Sequence, residues 1–286
     1  MSMTRVYTTA TAFRKALEDR LKSIAEKEDV DIQRLRREVA FDRLLARLFH
    51  AKRPPWILKG GYAMELRIKE SRATKDIDLA LREALKDDRN LPVNLGILEA
   101  LQEMARTDLG DFFTFLIGES MQDLDAAPYG GARYPVDARM DGRNFVKFHI
   151  DVGVGDVVLE PLDLTEGRDW LSFAGIPSRQ FPTISKEQQF AEKIHAYTLP
   201  RAKPNSRVRD LVDIVPLIKS GRLDANRVRE AIRATFDRRR THVVPAKLSA
   251  PPKDWDKPFL ALAKECRLTE DVSEAFQLFD SFYEKI

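Results

Sequence analysis

An α+β fold is predicted for this chain of 286 residues: a mixed sheet with flanking helices, followed by a helical C-terminal half. Three observations carry the prediction. Residues 56–81, WILKGGYAMELRIKESRATKDIDLAL, read as strand, glycine turn, short helix and second strand. Three strand-like segments then succeed one another between Phe112 and Val152, with the hairpin signal Asp141-Gly142 before the last. From Ser185 onward the apolar residues recur at helical spacing instead.

Taken in order, Phe13, Leu17, Leu21 and Ile24 mark a helix over 10–27, and Ile32, Leu35, Val39, Leu44, Leu45 and Leu48 mark a second over 32–49. Lys52-Arg53-Pro54-Pro55 stops that helix and starts the strand at 56–58. The next strand carries Asp76 and Asp78, and a polar loop at 86–90 leads to a helix over 93–106. Strands are expected at 112–118, 132–140 and 144–152. In the last of them alternation sets Lys147, His149 and Asp151 on one face and Phe148 and Ile150 on the other. Residues 170–182 read as irregular. Ser185 then caps a helix over 185–198, with Gln188 as its capping-box partner. Further helices are expected at 208–219 and from the Asp224 cap to Phe236, a basic, proline-rich loop at 237–255, and closing helices at 257–265 and 269–285. The expected division is a sheet-bearing core with two N-terminal helices over 1–168 and a helical domain over 169–286.

Composition narrows the class. The apolar fraction of 43% supplies a core, and the charged fraction of 33% suits well-solvated helices. Net charge is only +3, but residues 199–240 hold twelve Lys/Arg against five Asp/Glu, a local +7 able to meet a polyanion. Cys266 is the single cysteine, which excludes an intrachain disulfide and a cysteine zinc site. The opening MSMTRVYTTATAF lacks the apolar run of a signal peptide, and no run of about 18 apolar residues is present to cross a membrane. A cytoplasmic protein is expected.

The chemistry centres on Asp76 and Asp78. Residues i and i+2 of a strand share a face, so the two carboxylates lie side by side while Ile77 points into the core. Paired hard oxygen ligands suit a magnesium or manganese ion carrying nucleotide phosphates. Lys59, Gly60 and Gly61 end the preceding strand and open a helix, where glycine lets phosphate approach the backbone and the helix N-terminus favours its charge. Asp151, also on a strand, becomes a third carboxylate if strand pairing brings it alongside. Three carboxylates on one sheet surface fit two-metal phosphoryl or nucleotidyl transfer, one ion holding the triphosphate and the other lowering the pKa of the attacking hydroxyl. Asp123 and Asp125 repeat the Asp-x-Asp spacing without a glycine turn and read as loop.

The strand, Gly60-Gly61, fourteen intervening residues, and Asp76-x-Asp78 resemble the nucleotidyltransferase fold shared by DNA polymerase beta, the CCA-adding enzymes and aminoglycoside nucleotidyltransferases. Four segments together resemble the AbiEii toxin family: Leu58-Lys59-Gly60-Gly61-Tyr62-Ala63, Arg72-x-Thr74-Lys75-Asp76-Ile77-Asp78-Leu79, Glu187-x-x-x-Ala191-Glu192-Lys193, and Arg207-x-Arg209-Asp210-Leu211-x-Asp213. That resemblance implies a toxin of a bacterial toxin–antitoxin pair, with phage defence among the family's roles. It implies use of a nucleoside triphosphate, a separate antitoxin as partner, and, as in some members, transfer of nucleotides to the 3′ end of tRNA. By position, Asp76 matches the catalytic aspartate of the first motif, Lys193 the helical lysine of the second and Asp210 the aspartate of the third, with Asp213 as its companion.

Each assignment has a plainer counterpart. Lys193 borders an apolar helix face and either meets the triphosphate or runs its stem along the surface to solvent. Asp210 and Asp213 share a helix face; Asp210 orients Lys193, or a ribose or base, or else pairs with Arg207 or Arg209. Lys59 touches phosphate or covers the strand end, and Arg72 binds phosphate or is a loop arginine. Thr74, two residues before Asp76, is expected on the same face, within reach of phosphate. Phosphorylation of Thr74 would add charge and bulk beside the metal ligands and inactivate the site, which mass spectrometry of protein made alongside the antitoxin would reveal. His149 reads as structural, and His195 as a surface residue.

Two other functions compete with a tRNA-directed toxin. A small-molecule acceptor such as an antibiotic would need an acidic pocket for a cationic drug, against which the basic run after Leu199 argues. A non-catalytic nucleotide- or RNA-binding module would have no need of Asp76, Asp78 and Lys193 together.

Overall fold

The computed structural model describes residues 7–68, 70–82, 92–123, 127–201, 207–221 and 223–286. The polar loop expected at 86–90, Asp125 and most of the basic loop after Leu199 lie outside the described residues. The chain forms two compact units, and neither is a single run of sequence: residues 1–58, 75–154 and 164–182 make the first, and 59–74, 155–163 and 183–286 the second.

The first unit opens with α1 (Ala10–Glu28) and α2 (Ile32–Leu48). Thr9 caps α1 and Asp31 caps α2, each side chain accepting a backbone N–H of the first turn. The sheet then builds from β1 (Trp56–Lys59), β2 (Asp76–Leu81), β3 (Phe113–Ile117), β4 (Gln122–Asp123), β5 (Gly131–Met140), β6 (Arg143–Gly153), β7 (Asp163–Glu166) and β8 (Gln180–Thr183), with α4 (Val93–Ala105) between β2 and β3 and α3 (Gly60–Arg67) after β1. Strand order is β3-β5-β6-β2-β1-β8-β7, and β4 pairs with the far end of β5. β5 and β6 form the antiparallel hairpin that Asp141-Gly142 signals, both turn residues taking positive φ. β6 then pairs in parallel with β2, so the sheet is mixed.

One face of this sheet is dry. Phe41 of α2 packs on Phe148 of β6 with ring centroids 4.8 Å apart, and Ile77, Leu79, Phe148, Ile150 and Val152 all point to the buried side. Burying five such side chains stabilises the unit by roughly 1.5–3 kcal/mol each before chain entropy is counted. A buried cluster anchors α2 to the start of β3: both carboxylate oxygens of Asp111 accept from Arg47, at 2.6 and 2.9 Å, and Arg43 adds a third contact at 2.6 Å.

The second unit is helical: α3, then α5 (Lys186–Thr198), α6 (Val208–Lys219), α7 (Ala225–Arg239), α8 (Asp256–Glu265) and α9 (Val272–Tyr283). Its core gathers Met64 with Phe190, Ile194, Leu211, Val215, Val228, Phe236, Phe259 and Phe279, all buried. Ser185 caps α5 through the Gln188 backbone N–H at 3.1 Å, but the other half of the expected capping box is missing. The Gln188 side chain turns instead to the Val157 carbonyl at 2.6 Å and the Leu159 N–H at 3.0 Å. A true capping box forms at α9, where Asp271 and Glu274 satisfy each other's backbone N–H groups, so that helix begins later than its periodicity suggests. Residues 170–182, expected to be irregular, contain most of β8, and Asp123, expected in a loop, ends β4. Two- to four-residue strands carry too little alternation to register in sequence.

Candidate active site

The open face of the sheet belongs to charged side chains. Parallel pairing of β2 and β6 sets Asp76 opposite His149 and Asp78 opposite Asp151, so the three expected carboxylates share that face, all half-buried. His149 Nδ1 lies 3.3 Å from Asp76 Oδ1. A residue not singled out from the sequence completes the group. Arg133 of β5 stands directly across from Asp151 in the hairpin register. Its Nε and one terminal nitrogen each donate to a separate Asp151 oxygen at 2.7 Å, and the same terminal nitrogen is 3.4 Å from Asp76 Oδ2. The hydrogen bond to Asp151, opposed by partial burial and reinforced by the charges of Asp151, Asp76 and Asp78, holds the Arg133 pKa above the usual arginine value. Alternation along β5, which turns the half-buried Arg133 to the opposite face from the buried Ala132 and Tyr134, was the available signal.

Two half-buried carboxylates one residue apart suit a magnesium or manganese ion shared with phosphate oxygens, because magnesium takes few protein ligands and keeps the rest of its shell for substrate and water. Among the described residues no three Asp, Glu, His or Cys groups converge as a ready-made metal cage. Asp76 and Asp78 would supply two oxygen ligands to such an ion; Asp151 is engaged by Arg133, which with His149 also contacts Asp76.

The other expected residues lie in the second unit. Gly60 takes φ +65°, open to glycine at little cost, and its carbonyl accepts from Gln189 Nε2 at 2.7 Å. Gly61 is required for a different reason: a Cβ there would lie 2.6 Å from Thr74 Oγ1 and 2.9 Å from Thr74 Cβ. Thr74 itself stands before β2 begins, its backbone N–H bonded to Glu65, so strand alternation does not align it with Asp76 as expected. Lys59 does not reach outward from the strand end. Its ammonium pairs with Asp156, whose other oxygen takes Arg239 at 3.0 Å. Burial opposes the Lys59 charge, but Glu192 and Asp156 outweigh it and raise its pKa.

Arg72, Lys193, Asp210 and Asp213 come together in one buried network. Lys193 Nζ is 2.5 Å from Asp213 and 3.3 Å from Asp210, Arg72 forks onto Asp213, and Arg207 meets Asp210 at 2.5 Å. Asp210 and Asp213 are 1% and 2% exposed, so Lys193 points into the fold and does not snorkel to the surface. Burial works against ionisation here, yet the Asp213 pKa is lowered by Lys193 and Arg72, and that of Lys193 is raised by Asp213 and Asp210. The pairing of Asp210 with Arg207, weighed as an alternative to a role beside Lys193, occurs together with it.

His195 is not on the surface. It is 3% exposed, its Nε2 is 2.8 Å from Thr241 Oγ1, and its ring packs between Phe236 and His242. Burial first, and then the charge of Arg239, pull its pKa down to about 3.

A sheet that presents Asp-x-Asp after a strand, Gly-Gly and helix defines the class as a nucleotidyltransferase. The chain belongs to the family described as nucleotidyl transferase AbiEii toxin of type IV toxin–antitoxin systems, whose model matches residues 43–284. It is thus a nucleotidyltransferase toxin, and its family implies an antitoxin partner, a nucleoside triphosphate and a divalent metal. The fold is similar to that of MenT4, a nucleotidyltransferase toxin from Mycobacterium tuberculosis H37Rv, with a TM-score of 0.54 and 15% identity over 87% of this chain and 88% of that one. JHP933 from Helicobacter pylori matches with a TM-score of 0.46 and 15% identity over 89% and 97% of the two chains. No curated protein sequence matches. Among the described residues no helix is long and apolar enough to cross a membrane.

Proposed function

We propose that this toxin transfers nucleotides from a nucleoside triphosphate to the 3′ end of tRNA in the bacterial cytoplasm, stopping aminoacylation and hence translation. Abortive defence against phage is the setting the reading suits. Asp76 and Asp78 hold a magnesium or manganese ion, and when bound that ion gathers the triphosphate and steadies the charge that develops on it. Lys193 serves as a cation for the triphosphate, oriented by Asp210 and Asp213. Arg72 braces Asp213. Gly60 and Gly61, the first residues of α3, let phosphate approach the backbone at that helix start.

The observation that carries the reading is the parallel register of β2 with β6, which groups Asp76, Asp78 and Asp151 on the open sheet face. For the acceptor, support comes from the basic stretch. Within 201–240, Arg201, Arg209, Arg233, Arg238 and Arg240 are exposed. An RNA backbone matches such a surface and a cationic drug does not.

The test is transfer itself. With magnesium, each radiolabelled nucleoside triphosphate and total tRNA, wild type should place label on tRNA and Asp76→Ala should not. Absence of label with every nucleotide would rule out the tRNA acceptor.

A further inference from the structure

We infer that Gln189 is a positioning residue for triphosphate binding: with Arg67 behind it, its amide holds the Gly60–Gly61 peptide plane in the orientation that receives phosphate. The inference rests on the proposed use of that helix start by the triphosphate and names what keeps it in shape.

The peptide between two glycines rotates more freely than any other in a chain, because neither residue carries a Cβ. Gly60 already sits at φ +65°, where other residues are strained. Such a plane is a dependable phosphate partner only when something outside the helix fixes it in advance. Gln189 does this from α5, its Nε2 donating to the Gly60 carbonyl at 2.7 Å. The Gly61 N–H belongs to the same plane, on the edge opposite that carbonyl, so one hydrogen bond sets the direction of both groups.

The direction of the amide is itself imposed. Arg67 Nη1 lies 2.6 Å from Gln189 Oε1. A guanidinium only donates, so the amide atom facing it is the oxygen, and the NH2 group is left for Gly60. Arg67 is held in turn, its other terminal nitrogen donating to Thr183 Oγ1 at 2.6 Å and to Asp163 at 3.1 Å. Gln189 is 1% exposed and the Arg67 side chain 12%, which shields the relay from water. Gly60, Arg67, Asp163, Thr183 and Gln189 all belong to the second unit. Gln189 and Lys193, four residues apart, share a face of α5. One helix thus carries both the side chain that shapes the glycine step and the lysine proposed to meet the triphosphate.

Equilibrium dialysis of each labelled nucleoside triphosphate with magnesium, without tRNA, tests this. Gln189→Met keeps the length of the side chain and removes its donor and acceptor. Gln189→Glu keeps an oxygen for Arg67 but sets a second oxygen against the Gly60 carbonyl. Each should hold the triphosphate that wild type binds about tenfold more weakly, roughly the worth of one hydrogen bond. Magnesium tripolyphosphate, which has no base or ribose, should weaken as a competitor by the same factor. Circular dichroism and urea midpoints show whether each variant is folded. A merely structural role would lower the midpoint and leave the affinity of the folded protein unchanged. That result in either variant overturns the inference, as does weakening in Gln189→Glu alone, which charge repulsion explains, or undiminished competition by tripolyphosphate. Wild type that holds no triphosphate overturns it together with the proposed phosphate site. Wild type that holds triphosphate but labels no tRNA, with both variants weakened as expected, sinks the acceptor assignment alone.

Discussion

The guanidinium of Arg72 meets the carboxylate of Asp213 edge to edge, Nε and a terminal nitrogen each 2.9 Å from one oxygen. Lys193 contacts the same carboxylate at 2.5 Å, so Asp213 is the hub between two poorly exposed cations. Asp213→Asn keeps the shape and removes the charge, leaving Arg72 and Lys193 to repel each other. The expected loss is about 3–5 kcal/mol, the range for breaking a buried pair. Urea unfolding should show a lower midpoint with an unchanged slope.

The same carboxylate sets an acid limit. Because the folded-state pKa of Asp213 lies below its unfolded value, its contribution is present above pH about 4 and is lost as pH falls through the folded value. Wild-type stability should therefore drop in that window, and Asp213→Asn should drop less steeply. Equal slopes in a pH series of urea titrations would contradict this.

His195 acts in a different window. Its pKa falls from 6.5 in the open chain to about 3 in the fold, so the unfolded chain binds a proton that the folded one refuses. Stability from this group is full above pH about 6.5 and declines as pH falls toward 3, by up to about 1.4 kcal/mol per pH unit. Replacing His195 with Gln, which cannot take up that proton, should flatten the stability profile between pH about 5 and 6.5, as thermal denaturation would record.

Gly61→Ala should cost about 1–3 kcal/mol through overpacking against Thr74. The paired change Gly61→Ala with Thr74→Gly removes the Thr74 atoms that the new Cβ meets. A double-mutant cycle on melting temperature should then show favourable coupling between the two positions.

If tRNA is the acceptor, exposed arginines of the basic stretch carry phosphate contacts. Arg209→Gln and Arg233→Gln should each lower the slope of log affinity against log salt by about 0.7–0.9, with the fold intact. Filter binding of tRNA across a salt series measures it, and unchanged slopes would place the RNA elsewhere.

Much of the frame is legible in the chain because its signals are local. Gly60-Gly61 and Asp76-Ile77-Asp78 fix turn and face within a few residues, and the caps Ser185 and Asp224 occur as read. The strands β7 and β8, four residues each, carry no such pattern. His195 looked superficial because helical spacing shows only its own helix, whereas Phe236 and His242 cover it from later in the chain.

What sequence alone determined is the family, the α+β class and the candidate acids Asp76, Asp78 and Asp151, since these follow from motif spacing and period-two alternation. Only the tertiary structure decided which groups meet. That Asp151 stands opposite Asp78, that Arg133 claims Asp151, that Lys59 turns to Asp156 and that Arg72 joins Lys193 at Asp213 all depend on pairings between residues far apart in the chain. Such pairings are selected by the burial of whole elements, a global balance of packing against chain entropy that no local window contains.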